Sequence, residues 1–117
     1  MKDFKEYCLR QTQIVALSKS LNLVIEEAVD KIASRMKRGG KLLFCGNGGS
    51  AAEAQHLAAE LMGRFNYHRS PLPSLALTVD TSALTAISND YGYEHVFSRQ
   101  LNGIARADDA LVCLSAS

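Results

Sequence analysis

Residues 41–65 read KLLFCGNGGSAAEAQHLAAELMGRF: an apolar run, a loop with three glycines in four residues, and a helical pattern that carries polar groups. The pattern predicts strand, loop and helix. Residues 41–45 are short and mostly apolar and are bounded by Gly39, Gly40 and Gly46, as in a strand buried on both faces of a parallel sheet. Gly46, Gly48 and Gly49 permit backbone angles and close approaches that a Cβ forbids, so that several N–H groups can converge on one anion. Ser50 adds a hydroxyl and a predicted N-cap, and the helix beginning there aims its positive end at the same point.

Neither common nucleotide signature fits this loop. A Walker loop needs Gly-Lys-Ser/Thr, and a dinucleotide loop spreads its three glycines over six positions. A glycine-rich turn between strand and helix is also an ordinary connection without a ligand. The helix adds chemistry. His56, Glu60 and Arg64 recur at every fourth position, about 6 Å of rise apart, which predicts a stripe of imidazole, carboxylate and guanidinium on one face. Such a face can hold a divalent metal between His56 and Glu60, take a proton beside a carbonyl with Glu60, and hold an anionic or polyhydroxy substrate with Arg64. The bland alternative is a solvated face with a Glu60–Arg64 ion pair. Ala54, Leu57, Ala58 and Leu61 form the neighbouring face, suited to packing on the sheet.

Working outward, residues 3–20 and 22–37 have apolar residues at helical spacing. The second of these predicted helices has basic residues in its last turn and Gly39 placed to cap it. Two helices ahead of the first strand have no sheet of their own to cover, so an interface with another subunit is expected. Residues 66–73 are polar and interrupted by Pro71 and Pro73, and read as a loop. A second buried strand is predicted at 74–79, a helix from Thr81 or Ser82 through Ile87, a polar turn at Asn89-Asp90, a helix at 94–105, and a third buried strand at 110–114. Helices between short apolar strands make an α/β chain, a three-layer α/β/α fold on a parallel sheet with ligand groups at the carboxyl ends of the strands. The predicted division is 1–38, the N-terminal helices, and 39–117, the α/β part.

The chain has 117 residues, 47% hydrophobic and 21% charged, within the range of ordinary globular domains. Thirteen Lys and Arg balance twelve Asp and Glu, so no global field attracts nucleic acid or an anionic membrane, and any anion site is local. The N-terminal residues carry charges throughout and lack the long apolar run of a signal peptide or membrane span, which points to the cytoplasm. Three cysteines, with Cys45 and Cys113 in predicted buried strands, suit reduced thiols rather than a disulfide framework.

GNGGSAAEAQHLAAELMGRF (46–65), followed by PLPSLALTVDTSALTAISNDYGYEHVFSRQ (71–100), resembles the sugar isomerase (SIS) domains of the phosphoheptose isomerase family. The resemblance covers nearly the whole chain and is most specific from Gly46 to Arg64. It implies an SIS-type, flavodoxin-like fold, a homotetramer whose active sites draw on neighbouring subunits, and interconversion of sedoheptulose 7-phosphate with an aldoheptose 7-phosphate for bacterial surface heptose synthesis. It implies Glu60 as the base, a Zn2+ per subunit held in part by His56 and Glu60, and substrate contacts from Asn47, Gly48, Gly49, Ser50, Glu60, Arg64, Asn89 and Asp90. It places the phosphate at Ser115, Ala116 and Ser117, where Ala116 departs from the usual threonine and offers only its N–H. It also implies that the chain is an N-terminal part, the remaining zinc ligands lying beyond Ser117. The alternative is a non-catalytic SIS module that binds a sugar phosphate or a replication initiator protein; the presence of Glu60 beside His56 favours the enzyme. Arabinose-5-phosphate isomerase shares this fold and usually brings further regulatory domains.

Overall fold

The computed structural model of the chain describes residues 3–116, and the chain divides into two compact units, residues 1–33 and 34–117. In the first unit, α1 (Phe4–Ser18) starts at Asp3, whose Oδ1 accepts from the Lys5 N–H at 3.1 Å. A short 3-10 turn (Lys19–Leu21) leads into α2 (Asn22–Lys37), which runs on past residue 33. Phe4 and Tyr7, three apart, stack with ring centroids 6.5 Å apart. Phe4, Leu17, Leu23 and Val24 are all exposed.

The second unit opens with the predicted glycine cap. Gly39 takes φ 91°, and the Gly39 and Gly40 N–H groups donate to the Met36 and Arg35 carbonyls at 3.0 and 3.1 Å. Then follow β1 (Leu42–Gly46), α3 (Gly49–Met62), β2 (Ser74–Ala76), α4 (Thr81–Tyr91), a 3-10 turn (Tyr93–His95), α5 (Val96–Ile104) and β3 (Ala110–Leu114). The strands are parallel in the order β2-β1-β3, with Leu42 opposite both Ser74 and Ala110. All of β1 is buried, as an all-apolar central strand requires.

Alternation along β1 separates the two faces. Leu43 and Cys45 join Leu77 in a core that Phe97 and Leu101 of α5 pack against. Leu42 and Phe44 face α3, whose Ala54 and Ala58 are buried. These small side chains let α3 approach the sheet, and the Ser74 hydroxyl donates to the Ala58 carbonyl at 2.8 Å. The result is the expected three-layer α/β/α arrangement.

Four expectations are corrected. The first strand is Leu42–Gly46 rather than 41–45, because Lys41 takes part in a turn contact described below. β2 is only Ser74–Ala76: after Leu77, whose N–H donates to the Phe44 carbonyl at 2.8 Å, the chain leaves the sheet for Asp80, the N-cap of α4, which accepts from the Ala83 N–H at 2.9 Å. Asn89 and Asp90 lie inside the last turn of α4, and the turn itself falls at Gly92, φ 96°. β3 is not fully buried, since Leu111 and Cys113 are exposed on an edge strand of the described sheet.

One polar cluster ties the start of β1 to the start of β3. The Asp109 side chain, 6% exposed, is paired with the Lys41 ammonium and accepts from the Lys41 N–H and the Arg106 N–H, each at 2.8 Å. Burial opposes ionisation of this carboxyl, but the hydrogen bonds and charge of Lys41 and the Arg106 N–H outweigh it and hold it down at about 2, against the ordinary 3.8. Because the folded value is the lower one, this contribution to stability is complete above pH 3.8 and is lost as pH falls toward 2. Asp109→Asn is therefore expected to lower the urea midpoint at pH 7 and to flatten the acid limb of the stability curve in that window. An acid limb as steep as that of the parent chain contradicts the assignment.

An added Cβ at Gly40 would lie 1.9 Å from the Asp108 carbonyl oxygen, whereas at Gly103, in the last turn of α5, it meets nothing within 4 Å. Gly40→Ala should destabilise by about 2 kcal/mol or more. Gly103→Ala should stabilise by about 0.5 kcal/mol. Urea unfolding of the two variants should move the midpoint in opposite directions.

Candidate functional site

β1 and β3 are neighbours in register through Gly46 and Leu114, so the chain segments that leave their carboxyl ends emerge side by side. A parallel sheet places its ligand crevice at such a point. Here it is a cavity of about 580 Å³ lined by Asn47, Gly49, Ser50 and Glu53 from the first segment and α3, and by Leu114, Ser115 and Ala116 from the second. Five of the predicted substrate contacts, Asn47, Gly49, Ser50, Ser115 and Ala116, thus meet in one place although their numbers differ by more than sixty. Ser117 lies outside the described residues.

The glycines make this loop possible. A Cβ on Gly46 would come within 2.8 Å of Ser50, and Gly48 has φ 57° and ψ −123°, a conformation open only to glycine. Gly48 is also the N-cap, which corrects the expectation for Ser50. The positive φ lets α3 begin at Gly49, so Ser50 falls in the first turn, where its N–H donates to the Asn47 carbonyl at 3.0 Å and it lines the cavity. The N-terminal end of a 14-residue helix faces the crevice and favours a negative group there.

A second cavity, of about 440 Å³, is lined by Leu42, Phe44, Glu53, His56, Leu57, Glu60, Leu61 and Phe65. One helical turn brings His56 Nε2 to 3.7 Å from Glu60 Oε1. Two ligands at ordinary zinc distances in tetrahedral geometry stand roughly 3.3 Å apart, so this pair fits two of the four positions around a zinc ion. Among the described residues no cluster of three His, Cys, Asp or Glu side chains completes such a set.

Arg64 does not extend the predicted stripe. α3 ends at Met62, and Gly63, φ −87° and ψ −108°, turns the chain with its N–H on the Ala59 carbonyl at 2.8 Å. The cation at this helix end is Arg69, whose guanidinium donates to the Glu60 and Leu61 carbonyls, each at 2.8 Å. Asn89 and Asp90 stand on α4, where Asn89 Nδ2 donates to Asp90 Oδ1 at 3.2 Å, and neither lines the two cavities.

Two residues were missed in the sequence. Glu53 lines both cavities, and its spacing of three and seven from His56 and Glu60 on α3 was a readable signal. Tyr93 donates its phenolic O–H to Asn47 Oδ1 from 46 positions away, and no local pattern announces it.

Residues 6–117 match the model of the SIS domain. The chain is 57% identical over 93 residues to the phosphoheptose isomerase of Rhodospirillum rubrum, covering 80% of this chain and 50% of that protein. It is 49% identical over 113 residues to that of Aliarcobacter butzleri, covering 97% and 60%. The structure of the phosphoheptose isomerase from Neisseria gonorrhoeae superimposes with a TM-score of 0.78 at 42% identity, over 98% of this chain and 62% of the other. That of the enzyme from Francisella tularensis gives 0.83 at 34% identity, over 97% and 61%. The chain spans about half the length of the curated relatives it matches.

The exchange of Arg64 for Arg69 is testable through stability. Arg69→Ala takes the guanidinium from the Glu60 carbonyl and from the Leu61 carbonyl, which keeps the Leu72 N–H at 3.0 Å, and should cost about 1 kcal/mol, while Arg64→Ala should stay within about 0.5 kcal/mol. Equal urea midpoints for the two variants would refute the capping role of Arg69.

Proposed function

The chain belongs to the SIS domain family, and from that membership we propose that the protein is an aldose–ketose isomerase converting sedoheptulose 7-phosphate to D-glycero-D-manno-heptose 7-phosphate. The observation that carries this reading is the adjacency of two cavities that share Glu53: one built from a glycine loop and a helix N-terminus, the other holding His56 and Glu60. The first suits a phosphate, the second a carbonyl carbon and its neighbour.

In this reading the phosphate lies against Ser50, Ser115, Ala116 and Ser117, with Asn47, Gly48 and Gly49 contacting the substrate beside it. Ala116 contributes its N–H alone. Arg64, Asn89 and Asp90 orient the sugar hydroxyls from outside the two cavities. Glu60 takes a proton from carbon 1 of the ketose and returns one to carbon 2 of the enediol, while oxygen 2 gains a proton and oxygen 1 gives one up, so that the carbonyl moves from carbon 2 to carbon 1 with no change in composition. Leu42, Phe44, Leu57, Leu61 and Phe65 wall the cavity with apolar surface beside the reacting carbons. His56, with Glu60 reaching the same point, would hold one zinc ion per subunit, and the ion would supply polarisation of the substrate carbonyl.

The remaining features fit a homotetrameric enzyme of the cytoplasm. Exposed Phe4, Leu17, Leu23 and Val24 give the N-terminal helices apolar surface for subunit contacts. Cys8, Cys45 and Cys113 are free thiols, as suits a reducing compartment. The product supplies bacterial surface heptose synthesis.

Glu60→Gln in the full-length gene product is expected to lower kcat by about 10²- to 10⁴-fold while sugar phosphate still binds. Isomerisation by this variant at the parent rate removes Glu60 as the base. Loss of ligand binding together with turnover assigns it to substrate binding instead.

A further inference from the structure

We infer that Tyr93 is a positioning residue that sets the orientation of the Asn47 amide and thereby makes Asn47 a hydrogen-bond donor toward the substrate. The inference rests on the reading of the loop crevice as the sugar phosphate site. Its own observation is separate: the Tyr93 phenol donates to Asn47 Oδ1 across 46 residues of chain.

An unrestrained Asn side chain can turn either its oxygen or its nitrogen to a ligand. Here an O–H donor fixes the carbonyl oxygen toward Tyr93, which leaves both N–H of Nδ2 for partners on another side. Asn47 lines the crevice, at the point where α3 begins. A donor there complements the oxygen-rich surface of a phosphorylated sugar. The opposite rotamer would set a carbonyl oxygen against that surface, adding repulsion where the helix end attracts.

The backbone around Tyr93 is arranged for this reach. Gly92, φ 96°, breaks α4 after its N–H donates to the Ser88 carbonyl at 3.1 Å. The 3-10 turn from Tyr93 to His95 then closes with the His95 N–H on the Gly92 carbonyl at 3.1 Å. Tyr93 comes to line a small recess of about 70 Å³ with Gly46, Asn47, Gly48 and Phe97. Asn47 lines both this recess and the crevice, so the phenol holds the residue that the two share.

A double-mutant cycle on the full-length gene product tests the coupling, with sedoheptulose 7-phosphate as substrate. Tyr93→Phe, which deletes one oxygen, should raise KM about three- to tenfold and leave kcat within about twofold. Asn47→Ala should raise KM at least as far. Adding Tyr93→Phe to Asn47→Ala should then change nothing further, because the phenol acts through the amide. Two-dimensional ¹⁵N–¹H spectra give a readout independent of turnover: the Asn47 side-chain amide peaks, identified by their loss in Asn47→Ala, should shift in Tyr93→Phe. Unmoved amide peaks, or the same rise in KM on both backgrounds, overturn the positioning role. A parent KM in Asn47→Ala, with the amide peaks still moved by Tyr93→Phe, overturns the site reading and leaves the hydrogen bond established as structural.

Discussion

The parallel pairing of β1 with β3 is the constraint on which the rest of the second unit depends. Five residues of each strand lie in register, from Leu42 opposite Ala110 to Gly46 opposite Leu114. At the amino ends the ladder is fastened by Asp109, which binds both the ammonium and the N–H of Lys41. At the carboxyl ends it releases Asn47 and Ser115 side by side. A slip of one residue between the two strands would part Lys41 from Asp109 and would also move the glycine loop out of line with Ser115 and Ala116. Strand register and crevice geometry are therefore specified together.

α3 divides the chemistry by position along one helix. Its first turn meets the crevice through Gly49 and Ser50, where backbone dipoles favour an anion. Its later turns carry His56 and Glu60 above an apolar wall. Glu53 lies between the two regions and lines both. The small residues Ala54 and Ala58 let the helix sit close to the sheet, and the polar side chains of the adjoining face share a cavity with Leu42 and Phe44 of β1. The glycines at 46 and 48 serve the same end: one allows Ser50 to approach β1, and the other turns the chain into the helix.

The strand–loop–helix order, the three strands, the helix at Asn22–Lys37 and the strand at Ala110–Leu114 were readable from hydrophobic runs and glycine positions, because short buried strands and capped helices leave local patterns. Helix ends were harder. Spacing alone carried the stripe through Arg64, but Gly63 ends α3 and Arg69, five residues beyond Arg64, donates to the Glu60 and Leu61 carbonyls. Ser50 is a good N-cap by residue type, yet the left-handed conformation of Gly48 moved the cap two positions earlier. The meeting of Asn47 with Ala116 followed from the fold expected for the family rather than from any local signal. The Tyr93–Asn47 bond joins two separate loops, and periodicity does not reach across such a distance.

The central claim is that Glu60, over its apolar wall, moves a proton between adjacent carbons of a phosphorylated ketose. Running the reaction of the full-length gene product with sedoheptulose 7-phosphate in D2O, and reading carbon 2 of the aldose product by NMR, tests this directly. The Glu60 side chain is 32% exposed, enough for its proton to exchange with solvent, so deuterium is predicted at carbon 2. Conversion without deuterium at that carbon, and undiminished in Glu60→Gln, would contradict the role given to Glu60.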